Sequence, residues 1–252
     1  MAIEIVAMIF WTLTADWHAN VTAPLLAAQG DPLGFFILLI GVAIFVAVAI
    51  GRQWYEKKRT EQLAKVADEL GLSFSAKNAP LPPAATSFEL FSRGRKTKAS
   101  NAIYGEANGV QLVVFDYQFT VGSGKNARTY RQTAISITSP ELNLPRFLVR
   151  PRKSFLGLSL FGPKNVFAHK DIRLNDASEY SKQFMVSGDD EDAIHALFPE
   201  GLEPVTQGSP TLTIEGCQDQ LLVYRSKQRV RPEEIKSLMQ TGFHVYTTLR
   251  PS

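Results

Sequence analysis

From Leu33 to Ile50 no side chain is charged or able to hydrogen-bond, and no Lys or Arg precedes Arg52. The chain then turns basic at once, with Arg52, Lys57, Lys58 and Arg59 close together. As an α-helix, Leu33–Ile50 would rise roughly 27 Å, close to a hydrocarbon core of about 30 Å. The pattern predicts a transmembrane helix over 33–51, with the Lys/Arg-rich side in the cytoplasm. Trp54 and Tyr55 follow at the depth where aromatic side chains anchor in the headgroup layer. The span contains no polar side chain for an ion path or proton relay, so it reads as an anchor.

Residues 1–32 read as a short non-cytoplasmic segment, an interfacial helix using Trp11 and Trp17. A second membrane segment and a cleaved signal are the alternatives. Ile3–Leu13 is apolar apart from Glu4 and Thr12 but too short to span.

Beyond the span the period changes twice. Leu63, Val66, Ala67 and Leu70 recur at helical spacing before Gly71, so residues 52–76 are expected to form a juxtamembrane helix and a short strand. Residues 77–252 are expected to form the cytoplasmic domain, entered through Pro80, Pro82 and Pro83. There the period becomes two. Ile103–Ala107 and Val110–Thr120 flank Asn108-Gly109, a strong hairpin signal. Val113, Phe115, Tyr117 and Phe119 share one face, with Asp116 and Gln118 on the other, the alternation of a half-buried antiparallel sheet. Gly122–Lys125 forms the next turn, and Thr129–Thr138 and Arg146–Arg150 continue the meander.

Later elements are a short helix over Asn175–Ser181, a strand over Gln183–Ser187, an acid-capped helix over Asp189–Phe198 and a hairpin of Thr211–Glu215 with Gln220–Arg225. A final amphipathic helix starts at Pro232, with Ile235, Leu238, Met239, Val245, Tyr246 and Leu249 on one stripe. The fold class expected is α+β: one N-terminal transmembrane helix, then a cytoplasmic antiparallel-sheet domain with a C-terminal amphipathic helix. Seven or so strands and one helix also describe lipid- and peptide-binding barrels of pleckstrin-homology type, at the level of fold only.

Tyr104-Gly105, Val114-Phe115-Asp116-Tyr117, Gly122-Ser123-Gly124-Lys125-Asn126, Gln132-Thr133 and Leu144-Pro145-Arg146-Phe147 together resemble a group of bacterial single-span membrane-anchored proteins of unknown function. Tyr180-Ser181, Phe184, Asp189–Glu191 and Leu197-Phe198 extend the resemblance, which runs from about Glu61 to Tyr246. It implies no activity and transfers no functional residues.

Charge sharpens the picture. The whole chain carries +3; residues 1–51 carry Glu4, Asp16 and Asp31 without any Lys or Arg, hence −3, which leaves +6 for the rest. Such mild basicity suits a domain beside an anionic leaflet and is too scattered for nucleic acid. Arg52, Lys57, Lys58, Arg59, Arg93, Arg95, Lys96, Lys125 and Arg128 are the candidate contacts with anionic lipid. Lys227, Arg229 and Arg231 form a third basic loop, and solvated loops are the plain account of all these charges. Phe155, Leu156, Leu158, Leu160 and Phe161 alternate with small residues in a loop that must bury against the sheet, a partner or the bilayer surface.

Chemistry is hard to find. Gly122–Asn126 mimics a phosphate loop, but residue 119 is Phe where glycine is required and Asn126 replaces Ser/Thr. His18, His169, His195 and His244 are far apart, and the acidic run at 189–192 lacks calcium-loop spacing. No Gly-x-Ser-x-Gly elbow is present, and Cys217 is the only cysteine. The sequence therefore implies no catalytic residue, cofactor or metal. It reads as a single-pass protein of a bacterial inner membrane, N-terminus outside. Its role would be a non-catalytic interaction or lipid-surface module, with anionic headgroups or another membrane protein as partner. A membrane-tethered enzyme with a dispersed site is the alternative.

Overall fold

The computed structural model describes residues 32–83, 85–152, 171–174, 183–206 and 209–251. Most of the N-terminal segment, the predicted 175–181 helix and the apolar loop of Phe155, Leu156, Leu158, Leu160 and Phe161 lie outside them. The chain divides into two compact units, Met1–Lys58 and Arg59–Ser252.

Helix α1 runs over Pro32–Glu69. Its apolar part is long enough to cross a membrane and is bare, with Phe45 and Leu33 exposed by 74% and 67%. The unit boundary falls inside this helix, between Lys58 and Arg59. The segment 52–76 is therefore not a separate element ahead of the domain. From Arg59 onward the helix belongs to the globular unit, because Leu63 and Ala67 enter its core.

The second unit is built on one sheet. In chain order its further elements are β1 (Ser73–Lys77), α2 (Glu89–Ser92), β2 (Arg95–Ala107), β3 (Val110–Val121), β4 (Arg128–Thr138) and β5 (Leu144–Pro151). There follow β6 (Asp171–Ile172), β7 (Phe184–Gly188), α3 (Glu191–Leu197), α4 (Glu203–Thr206), β8 (Leu212–Gln218), β9 (Gln220–Arg225) and α5 (Ile235–Leu249). The strand order is β1-β2-β3-β4-β9-β8-β5-β7-β6, antiparallel at every pairing. The protein is α+β, as its pattern predicts. The sheet is open among the described residues, with β1 and β6 at its edges, so it is not the barrel of the pleckstrin analogy.

The predicted hairpin turn forms with Asn108 at φ 52° and Gly109 at φ 76°, the paired left-handed angles that suit a two-residue connection. Gly122 has φ 81°, and a Cβ there would stand 2.7 Å from the Asn126 carbonyl oxygen, so the Gly-Ser-Gly-Lys motif serves a turn. The Asp190 side chain accepts from the Ala193 N–H at 3.0 Å, capping α3 as its acidic run predicts.

The half-buried sheet needs correction. On β3, Leu112 and Val114 enter one core with Ile135, Ile137 and the α5 residues Ile235, Leu238, Val245 and Leu249. Val113, Phe115, Tyr117 and Phe119 enter a second core on the opposite face, beneath Phe88 and Leu90. The proline-rich entry thus leads into a strap across the sheet rather than a simple linker. Burying each large apolar side chain favours folding by about 1.5–3 kcal/mol, which gives this short strap a strong reason to stay down. The basic run 93–98 is likewise not a loop: from Arg95 it is the first part of β2, with irregular register against β3 between Arg95 and Lys98.

Candidate functional site

Three arrangements of charged side chains stand out. The first is at one end of the meander. Arg95 starts β2 opposite Thr120 near the end of β3, and Arg128 starts β4 opposite Val121. Strands are spaced by about 4.8 Å, so these arginines sit on either side of β3 roughly 10 Å apart. Lys125 occupies the turn between β3 and β4, and the Arg95 guanidinium donates to the Gly122 carbonyl across it at 2.5 Å. Arg95, Lys96, Lys125 and Arg128 are all exposed, and among the described residues no carboxylate pairs with them. Two separate sequence patches thereby form one basic rim at the end of the sheet, with Arg95 and Arg128 on opposite faces because their partners Thr120 and Val121 are consecutive.

Arg59 and Arg93 do not belong to that surface. Arg59 is 4% exposed and holds Asp116 through Nε at 2.9 Å and Nη2 at 2.8 Å. Arg93 is also buried, and its guanidinium pairs with Glu89 one helical turn earlier. Desolvating an arginine requires such partners, and both are committed to the interior. Arg52, Trp54, Tyr55, Lys57 and Lys58 are exposed on α1, where the Lys58 ammonium lies 5.1 Å from the centre of the Trp54 ring.

The second arrangement surrounds Asp116 on β3. Besides Arg59, its carboxylate accepts from Asn101 at 3.0 Å, Thr133 at 2.9 Å and the Arg229 guanidinium at 3.0 and 3.2 Å. Burial would raise the pKa of this carboxyl. The bonds and charge of Arg59, with Arg229 and Asn101, outweigh that effect and hold it below the ordinary range. The cluster fastens α1, β2, β3, β4 and the segment before α5 at one point.

The third lies under the strap. Glu215 on β8 accepts from the backbone N–H groups of Glu89 and Leu90 and from the Tyr224 hydroxyl at 2.8 Å. Glu89 also meets Arg150 at 3.5 Å. Burial pushes Glu215 up, and Arg93 and the Tyr224 bond only partly offset it; burial and the Glu215 charge push the Tyr224 hydroxyl well above its usual value. Perturbed groups often mark catalysis. These are covered, Tyr224 at 0% and Glu215 at 2% exposed, and they satisfy one another and the strap backbone. They fasten the strap and offer no surface to a substrate.

Sequence reading placed Asp116 on the polar face but missed its burial, and it did not single out Glu215. One signal was available: Arg59 lies four residues before Leu63 and eight before Ala67, on the stripe that enters the core. Among the described residues, no three of His, Cys, Asp and Glu come together as a metal centre.

Fold and site define an α+β sheet domain following an apolar helix of membrane-spanning length. No family model matches the chain, and no curated protein matches it. Among solved structures it is similar to the mycobacterial trehalose monomycolate transport factor A, TtfA, at TM-score 0.51 and 14% identity, over 77% of this chain and 97% of that one. At that identity the likeness shows a shared fold.

Proposed function

We propose that the protein is a non-catalytic module anchored in a bacterial inner membrane. Its N-terminus is outside, and its sheet domain meets anionic lipid headgroups, or another membrane protein, on the cytoplasmic face. The observation that carries this reading is the basic rim: the register of β2, β3 and β4 brings Arg95, Lys96, Lys125 and Arg128 to one end of the sheet, where they stay exposed without carboxylate partners among the described residues. A rim of this kind attracts an anionic surface by about 1 kcal/mol per residue, within a Debye length of roughly 8 Å. Support for the orientation comes from the absence of Lys/Arg before Arg52 and their cluster after it. The neighbour of similar fold is a trehalose monomycolate transport factor by its description, which fits an accessory role beside lipid. The sequence resemblance to bacterial membrane-anchored proteins belongs to the same reading.

The test is binding of a Lys57–Ser252 fragment to vesicles. It should bind vesicles containing phosphatidylglycerol, release them at high salt and ignore phosphatidylcholine. Changing Arg95, Lys96, Lys125 and Arg128 to Gln should abolish binding with the thermal melt unchanged. Salt-insensitive binding, or none at low salt, would leave these charges as solvation only.

A further inference from the structure

Between β1 and α2 the chain reads Ala79-Pro80-Leu81-Pro82-Pro83. Each proline ring holds its own φ at about −65°, and the residue before a proline is driven out of the α region. Ala79, Leu81 and Pro82 each stand before a proline, so the sequence itself sets the segment in polyproline II conformation. The two ends agree with this. Asn78, at φ 55°, turns the chain away from β1, and the Pro82 carbonyl accepts from the Ala85 N–H at 2.9 Å as the tight turn Ala85–Ser87 begins.

A polyproline II helix has three residues per turn, so burial along it should repeat at every third position. It does. Ala79 and Pro82 are buried, Ala79 within the second core, whereas Pro80, Leu81 and Pro83 are exposed. Ala79 and Pro82 therefore form the edge laid on the domain. Pro80 and Pro83 form a second edge about 9 Å long, and Leu81 stands on the third. Leu81 is 43% exposed, and outside α1 the only other large apolar side chain so exposed among the described residues is Phe243, at 41%. An exposed leucine alone is ordinary. This one sits on a helix whose shape is set in advance and which is held along one edge, and stiffness, which accounts for the prolines, gives no reason for it. Lys77, the last residue of β1, is exposed three positions before Pro80 and puts one positive charge at the N-terminal end of the segment.

We propose that Lys77–Pro83 is a docking surface for a protein partner that carries an aromatic-lined groove with a carboxylate at one end. Pro80 and Pro83 lie along the groove, Leu81 fills an apolar pocket beside it, and Lys77 meets the carboxylate. The domain already holds the helix in its bound shape, so docking costs little conformational entropy. The surface belongs to the segment leading into the strap and is independent of the basic rim's contact with lipid.

The test uses the full chain in its native membrane, with a photo-crosslinking amino acid in place of Leu81 or, as a control, of Phe243. Position 81 should give a discrete protein adduct that position 243 does not. Changing Pro80 and Pro83 to Ala in the position-81 chain should reduce the adduct at least fivefold. The melt of the purified chain should stay unchanged, since both prolines are exposed. The crosslinked segment of the partner, read by mass spectrometry, should carry Trp or Tyr. The purified partner should also bind a synthetic Lys77–Pro83 peptide. Pro80→Ala with Pro83→Ala in that peptide should weaken binding at least tenfold, and Lys77→Glu should weaken it severalfold. Changing Arg95, Lys96, Lys125 and Arg128 to Gln should leave the adduct in place, which separates this surface from the rim. No protein adduct, an adduct with lipid alone, an adduct that survives both proline changes, or a crosslinked partner that ignores the peptide would each overturn the proposal.

Discussion

Arg59 and Asp116, 57 residues apart in sequence, form a two-pronged ion pair at 2.8 and 2.9 Å with both side chains almost wholly buried. Removing one partner of such a pair leaves the other charge desolvated and typically costs 3–5 kcal/mol. Arg229 would still face Asp116 at 3.0 Å, so Arg59→Ala should cost about 3 kcal/mol, toward the lower end. Lys58→Ala, one residue earlier and exposed, should shift stability by less than about 0.5 kcal/mol. The same logic governs fragments. A soluble fragment starting at Lys57 should melt cooperatively, and one starting at Thr60 should melt at lower denaturant because it lacks Arg59. Equal midpoints for the two fragments would show that the pair does not hold the helix.

The two buried carboxylates have opposite pH signatures. Asp116 has its folded pKa lowered, so its contribution is present above the unfolded value of about 3.9 and is lost as pH falls through the folded one. Glu215 has its folded pKa raised, so its contribution is complete below about 4.3 and is lost as pH rises through the folded one. Denaturant melts from pH 3 to 8 should therefore show an acid limb that Asp116→Asn flattens. They should also show a decline above pH 4.3 that Glu215→Gln reduces. Unchanged slopes in both variants would contradict the assignment.

Much of this domain is legible from local pattern. The alternation from Val113 to Phe119, the Asn108-Gly109 turn and the stripe on α5 each announce their element, because each depends on neighbours a few residues away. The strap does not, since Pro80, Pro82 and Pro83 read as a linker and the Glu215 carboxylate that receives its backbone is about 125 residues away. The pairing of β4 with β9 is similarly invisible, a contact set by topology rather than by turn chemistry. Arg59 reads as a surface charge for a physical reason. The run Lys57-Lys58-Arg59 looks like one basic cluster, but successive helical residues point about 100° apart, so only the third faces the sheet. The basic rim was legible as charge and not as a place, because only the register of β2, β3 and β4 brings its parts to one end.

Gly242 on α5 gives a packing prediction. A Cβ there would lie 2.7 Å from Ile135 Cδ1 and 3.1 Å from its Cγ2, on the central strand β4. Alanine favours a helix by about 1 kcal/mol over glycine, but the branched Ile135 is fully buried and has little room to retreat. Overpacking costs about 1–3 kcal/mol, so Gly242→Ala should be net destabilising, and Ile135→Val should relieve part of it. A double-mutant cycle of thermal melts checks this: additive effects would mean the helix simply shifts away.

Topology offers the last test, since the chain's charge asymmetry is unusually one-sided. A cytoplasm-dependent reporter fused after Ser252 should be active, and an export-dependent one silent. Orientation follows Lys/Arg close to the span ends far more than acidic residues or the fate of long domains. Placing Lys at Gln29, Gly30 and Asp31 while changing Arg52, Lys57 and Lys58 to Gln should therefore invert the activities. Arg59 must be kept in that variant, because its partner is Asp116 inside the domain and its loss would destabilise the reporter's carrier as well as alter the charge balance. Export-dependent activity in the parent chain would place the sheet domain outside and remove the cytoplasmic leaflet as the partner of its basic rim.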